Sequence, residues 1–122
     1  TNMINYVKKI SPPNIQYIGF VNRKELEKYY YESKVYLQLS RHEAFGISVV
    51  EALKGGCFPI VSNCYALPEI VGDSRYVVKE HVVDEAVEII KTVLRSDYTK
   101  FKPVAHLGFS IEERKKNFMK IL

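Results

Sequence analysis

The sequence carries only two cysteines, Cys57 and Cys64, among 122 residues. That is too few for a disulfide framework, and their separation is not that of a metal-ligand pair, so neither a stapled scaffold nor a bound metal is expected. Cys57 stands in the apolar run "CFPIV" (57–61), where a buried reduced thiol is the expectation, with a reducing cytosol to match. Within these residues no basic segment leads into a short apolar core, and no apolar stretch approaches the length that spans a bilayer. A basic stripe interleaved with aromatics is also missing. The 18 Lys and Arg are dispersed among 14 Asp and Glu, leaving a net charge of +4. Such a surface favours anionic partners only in general terms, and nucleic acid is not an expected partner. There is no internal repeat and no low-complexity segment.

What the chain does have is apolar content, 47% of its residues, enough for a buried core in one domain or a piece of one. "IQYIGF" (Ile15–Phe20), after the breaker Pro12-Pro13, predicts a short buried strand. "NRKELEKYYYES" (22–33) predicts a helix capped by Asn22, with Glu25 as capping-box partner and Leu26, Tyr29 and Tyr30 on its inner face. "VYLQLS" (Val35–Ser40) predicts the second strand. A helix follows from near Gly46 to Gly55-Gly56, where a left-handed residue costs least. "CFPIVSN" and "RYVVK" (Arg75–Lys79) predict two more strands, with a single helical turn at "LPEIVGD" between them. "VVDEAVEIIKTVLRS" predicts an amphipathic helix with Val83, Ala86, Val87, Ile90 and Leu94 on its inner stripe. In "FSIEERKKNFMKIL" (109–122), Ser110 and Glu113 form a capping box for a closing C-terminal helix that offers Phe118, Ile121 and Leu122. Strands alternating with helices predict an α/β fold with a parallel sheet. The stretch "NMINYVKKI" reads as the end of a helix, as if the chain begins partway through a domain.

The residues with chemistry to explain lie in "SRHEAFGISVVEALKGG" (40–56), a strand-to-helix junction. Ligands of doubly wound sheets settle at the carboxyl ends of strands. The helix N-terminus there presents N–H groups from about Phe45 to Ser48, an arrangement that binds phosphate. Gly46 removes a side chain where a ligand must approach the backbone. Along the helix Phe45, Ile47, Val49, Val50, Ala52 and Leu53 are apolar, so Ser48, Glu51 and Lys54 form one polar line. The Glu51 carboxylate can accept two hydroxyls at once, as from the diol of a ribose. Glu43 stands on the other side of any phosphate held by those N–H groups. Two hydroxyl-rich moieties joined by a diphosphate fit this layout, which describes a nucleotide sugar. A plainer alternative stands level on spacing alone: Glu43 complements the helix dipole, and Glu51 pairs with Lys54 or a neighbouring lysine.

The ordered motifs "EAFGISVVE", "ALKGGCFPIVSN" and "PEIV" resemble the E-x7-E signature of the retaining GT-B glycosyltransferases of family 4 (glycosyl transferases group 1). "NIQYIGFVNRKELEKYYYESKVYLQLS" (14–40) is similar in order and spacing to the segment that precedes the signature, and the closing "FSIE" resembles "FSWE". The resemblance implies the C-terminal Rossmann-like, donor-holding domain, with its first βα units upstream of Thr1. By this resemblance Glu43 is the catalytic-site glutamate that contacts the transferred sugar. Phe45, Gly46 and Ile47 bring backbone amides to sugar and phosphates, and Ser48 lies near the diphosphate. Glu51 binds the ribose diol, and the segment around Gly19 and Phe20 borders the base.

The resemblance further implies a UDP- or GDP-sugar donor, no metal or other cofactor, and a glycan or lipid-linked acceptor. Two departures qualify it. Tyr65 and Ala66 stand where the family commonly has Gly-Gly. The Arg and Lys that hold the diphosphate, like the N-terminal GT-B domain and acceptor site, belong to upstream sequence. Alone, this chain is expected to bind donor weakly and to transfer sugar poorly or not at all. A cytoplasmic location, with peripheral attachment at the inner membrane face, goes with the resemblance. The alternative of another class is a non-catalytic Rossmann-like module that associates through an open sheet edge or its tyrosine-rich helix.

Overall fold

The computed structural model describes residues 2–42, 45–80, 82–97 and 101. Along the chain run α1 (Asn2–Ile10), α2 (Arg23–Glu32), β1 (Val35–Gln38), α3 (Ile47–Gly55), β2 (Phe58–Ser62), α4 (Leu67–Val71), a 3-10 turn at Ser74–Tyr76, β3 (Val77–Val78) and α5 (Val82–Arg95).

The strands form a parallel sheet in the order β1-β2-β3. Val35 stands opposite Phe58 and Val61 opposite Val77. Parallel neighbours need crossovers, and α3 supplies the first of them. All five residues of β2 are buried, as a central parallel strand requires. Pro59 is tolerated there because β3 reaches only Val61 and Ser62, so among the described residues β2 is paired on one side alone at the proline. The predicted α/β parallel architecture is the one observed.

Local signals account for the helix ends. The Asn22 side chain accepts the Glu25 N–H at 2.9 Å, the N-cap bond, and its Nδ2 donates to Glu25 Oε1 at 3.4 Å. Gly56 closes α3 in the left-handed region at φ 87°. Val49, Val50 and Leu53 pack on Phe58, Val61, Leu67, Ile70 and Val71 to make the main core. Phe58, Tyr76 and Phe101 extend it with ring centroids 5.4–6.0 Å apart.

Three expectations are corrected. Residues 15–20 form no strand, and Ile15, Tyr17, Ile18 and Phe20 are exposed. An apolar run becomes a strand only where a neighbour satisfies its backbone, and none of the described strands pairs with this one. On α5 the inner face is Ala86, Ile89, Ile90 and Val93, while Val83, Val87 and Leu94 are exposed. The apolar residues of α5 all lie on one side of the helix, and the sheet covers one edge of that stripe, through Ala86 and Val93, while leaving the other edge at Val83, Val87 and Leu94 in solvent. On α2, Tyr30 is buried and Tyr29 is exposed. The predicted closing helix at 109–122 lies outside the described residues.

Candidate functional site

The junction between β1 and α3 is built from three contacts that lock it to the next loop of the sheet. Ser62 Oγ donates to the Ser40 carbonyl at 2.5 Å, and Cys64 Sγ–H donates to the Arg41 carbonyl at 3.1 Å. Both donors follow or end β2, so the β1–α3 and β2–α4 loops are tied together at the carboxyl ends of their strands. The third contact is made by Gly46. It caps α3 at φ 66° and is buried. A Cβ there would lie 2.6 Å from Ile70 Cδ1 and 3.0 Å from Leu67 Cδ2, so the side on which glycine is needed faces α4. The close approach expected at Gly46 is thus made first by the protein's own side chains.

Because Gly46 has no side chain, no side-chain cap bonds the first turn of α3. Ile47 opens the helix, and four residues near it are buried: Val49, Val50, Ala52 and Leu53. Phe45 is half-buried beside the cap. This end of α3 therefore sits firmly in the fold, and the N-terminus of a helix is the end that suits an anionic group.

The polar line of α3 points elsewhere, toward α2. Ser48 is exposed and lies near enough to the Tyr30 phenol to oppose, in part, the rise in its pKa. Glu51 Oε1 lies 2.8 Å from Arg23 Nη2, with its side chain only 11% exposed. Arg23 Nε also contacts Glu27 Oε1 at 3.3 Å. The Glu27 hydrogen bond first, and then the Glu51 charge, hold the guanidinium above its ordinary pKa. Burial, and next the Glu51 charge, push the Tyr30 phenol up. The sequence offered a lysine or a diol as partners of Glu51 and did not point to Arg23. The ion pair comes from α2, which spacing within α3 does not reveal.

Arg23, Glu27, Tyr30, Tyr31, Glu51, Lys54 and Gly55 line a cavity of about 370 Å³ between α2 and α3. Its closeness depends on Gly55, where a Cβ would lie 2.7 Å from the Tyr30 backbone carbon. Cys57 Sγ donates to the Tyr30 carbonyl at 2.9 Å, and both cysteines are buried free thiols.

The predicted site residues thus separate into groups. Phe45, Gly46 and Ile47 form the α3 N-terminus, whereas Ser48 and Glu51 face the α2–α3 cleft. Gly19, at φ 77°, and the fully exposed Phe20 precede α2. Glu43 lies outside the described residues. Sequence reasoning missed Arg23 and Gly55 as cleft residues. Tyr65 deserves separate description: it has φ 48° and is 74% exposed, with its ring centroid 6.4 Å from that of His42. Among the described residues no group of three or more His, Cys, Asp and Glu is placed to hold a metal ion, and no helix is long and apolar enough to cross a membrane.

Comparison with known proteins gives a consistent picture. Residues 4–107 match the family described as glycosyl transferases group 1. An uncharacterized 41.2 kDa protein in the cps region of Klebsiella pneumoniae is 42% identical over 66 residues, 54% of this chain and 18% of that protein. The O-antigen chain mannosyltransferase B of Escherichia coli is 32% identical over 83 residues, 68% and 22% of the two chains. A serotype-specific mannosyltransferase, WbdA, of Escherichia coli is 26% identical over 88 residues, 72% and 11%. The aligned segments span no more than 22% of the length of these relatives. No solved structure matches.

Proposed function

The chain belongs to the glycosyl transferases group 1 family, and on that premise we propose that it is the nucleotide-sugar-binding part of a retaining GT-B glycosyltransferase. The observation that carries this reading is Gly46. It starts α3 in the left-handed region, offers no capping side chain, and sets the helix N-terminus at the carboxyl ends of parallel strands. A donor diphosphate is the ligand such an end accommodates.

In this reading the nucleoside lies toward the α2–α3 cleft, where the Glu51 carboxylate takes the ribose hydroxyls in place of the Arg23 guanidinium. Phe45 and Ile47 bring backbone to the phosphates, and Glu43 contacts the transferred hexose. Gly19 and Phe20, just before α2, border the base. The donor is a UDP- or GDP-sugar, and transfer needs no metal. Both of the Escherichia coli relatives described above bear the name mannosyltransferase, one of them for the O-antigen chain. That supports a hexose as the transferred group and a growing glycan or lipid-linked glycan as the acceptor. Acceptor binding and the positive charge for the leaving diphosphate come from a further GT-B domain and upstream segments of the full enzyme. The reaction is cytoplasmic, at the inner membrane face.

The test is a titration of the 15N-labelled chain with UDP and GDP. Amide shifts at Gly46, Ile47, Ser48 and Glu51 are expected. Shifts confined to other residues would overturn the assignment. Glu43→Ala should alter discrimination between donor sugars while leaving nucleoside diphosphate binding nearly intact, and Glu51→Ala should weaken both.

A non-catalytic association module is the second reading, favoured by the exposed apolar side chains of residues 15–20 and of α1, among them Met3, Tyr6 and Ile10. Sedimentation that finds a concentration-dependent dimer, together with no nucleotide-induced shifts, would favour it.

A further inference from the structure

Tyr65 adopts φ 48°, a backbone region that a bulky side chain enters only at a cost. Burial usually offsets such a cost. Here the residue is 74% exposed, so intramolecular packing does not explain why the ring is held in this position. What the conformation does is keep the ring beside that of His42, at a centroid distance of 6.4 Å and an interplanar angle of 43°. His42 is exposed too.

The two rings come from different loops, yet those loops are fastened together. His42 follows Arg41, whose carbonyl accepts from Cys64 Sγ, and Tyr65 follows Cys64. One residue before Arg41 and two before Cys64, Ser40 and Ser62 are joined in the same way, the Ser40 carbonyl accepting from Ser62 Oγ. Two residues after Tyr65, Leu67 packs where Gly46 leaves room for it at the start of α3. The aromatic pair is therefore held on a rigid base next to the helix end that the proposed donor site uses for phosphate.

A hexose attached to that phosphate has carbon-bound hydrogens on its faces and hydroxyls around its rim. Aromatic faces take the first, and a phenol and an imidazole have donors and acceptors for the second. We propose that Tyr65, supported by His42, is a specificity-determining residue that packs against the transferred hexose of the donor. The inference rests on the donor-site reading above and adds to it which side chains select the sugar.

The experiment compares dissociation constants of the chain for UDP, GDP, UDP-glucose and GDP-mannose by NMR titration, in the original sequence and in Tyr65→Gly and Tyr65→Phe. Glycine suits φ 48° without strain, so Tyr65→Gly keeps the loop. It should lose about 3- to 10-fold in affinity for the nucleotide hexose that the original sequence binds, with affinity for the matching nucleoside diphosphate unchanged. Tyr65→Phe, which keeps the ring, should retain most of the hexose-dependent gain. A Tyr65→Gly chain that binds nucleotide hexose as before, or loses nucleoside diphosphate equally, overturns the proposal while leaving the donor site standing. Absence of all nucleotide binding by the original sequence would bring down the donor-site reading itself.

Discussion

Arg23 and Glu51 join α2 to α3 through an ion pair of 2.8 Å. The carboxylate is largely buried and the guanidinium is mostly solvated, so the two ends respond differently to substitution. A ribose diol that uses Glu51 must displace the guanidinium from one carboxylate oxygen. Arg23 retains Glu27 as a second partner when that happens.

Arg23→Gln is therefore expected to raise the affinity for a nucleoside without phosphate, such as uridine or guanosine, by a few-fold. Glu51→Ala should lower affinity for the nucleoside diphosphate by roughly 10- to 100-fold, the equivalent of losing hydrogen bonds to a charged group. Calorimetry or NMR titration of both variants checks the pair. A fall in nucleoside affinity for Arg23→Gln as large as that for Glu51→Ala would show that the guanidinium belongs to the binding surface.

The two glycines of α3 make separate structural demands. Gly46→Ala forces a Cβ into Leu67 and Ile70 at positive φ, adding a backbone cost of about 1–2 kcal/mol to an overpacking cost of about 1–3 kcal/mol. Gly55→Ala drives a Cβ into the Tyr30 backbone, which can yield only if α2 moves away. Urea unfolding should show a large loss for Gly46→Ala. For Gly55→Ala, a crystal structure should show a widened α2–α3 cleft and a longer Arg23–Glu51 separation.

These contacts show which parts of the molecule can be read from sequence and which cannot. Asn22, Glu25 and Gly56 act within a few residues of themselves, so their caps are legible and are found where expected. β2 is legible because a continuous apolar run suits a strand covered on both faces, and β1, though only partly covered with Leu37 exposed, carries the same signal beside it. The run at 15–20 carries the same local signal without a described neighbour, and it forms no strand. Glu51 illustrates the limit at the site. Its place on the polar line of α3 follows from helical spacing, but its partner is set by how α2 packs, which Gly55 and Cys57 decide from the other end of the helix. Tyr65 stands out in the sequence only as a residue where the resembled family commonly has glycine, whereas its positive φ and its approach to His42 exist only in three dimensions.

The side-chain donors that tie the loops together should matter for binding more than for stability. Ser62→Ala and Cys64→Ala each remove one hydrogen bond to a loop carbonyl, a loss of about 0.5–1.5 kcal/mol apiece in thermal or urea unfolding. Released from Ser40 and Arg41, the β1–α3 loop no longer keeps His42 and the α3 N-terminus in fixed relation. Affinity for a nucleotide hexose should fall further in the double variant than unfolding data alone account for. Full retention of that affinity would show that the loop needs no fastening.

Asp73 provides a pH-dependent contribution far from this cleft. Its carboxylate accepts the Arg75 N–H at 3.0 Å and the guanidinium at 2.8–3.2 Å, capping the 3-10 turn that carries Tyr76 into the ring cluster and Val77 into β3. The side-chain hydrogen bond from Arg75 is the main cause that holds Asp73 below its ordinary value of 3.8. A carboxylate depressed in the folded state stabilises the protein above its unfolded pKa, and the stabilisation is lost as pH falls through the depressed folded value. Arg75 is largely solvated, so the ion pair itself adds little and the cap dominates. Asp73→Ala should thus cost about 1 kcal/mol at neutral pH. The difference from the original sequence should narrow once pH drops below 3.8, because protonation removes the same interaction that the substitution removes. Urea midpoints of both chains at neutral pH and at about pH 3 provide the measurement. A gap that stays constant between the two conditions would mean that the charge of Asp73 does not contribute.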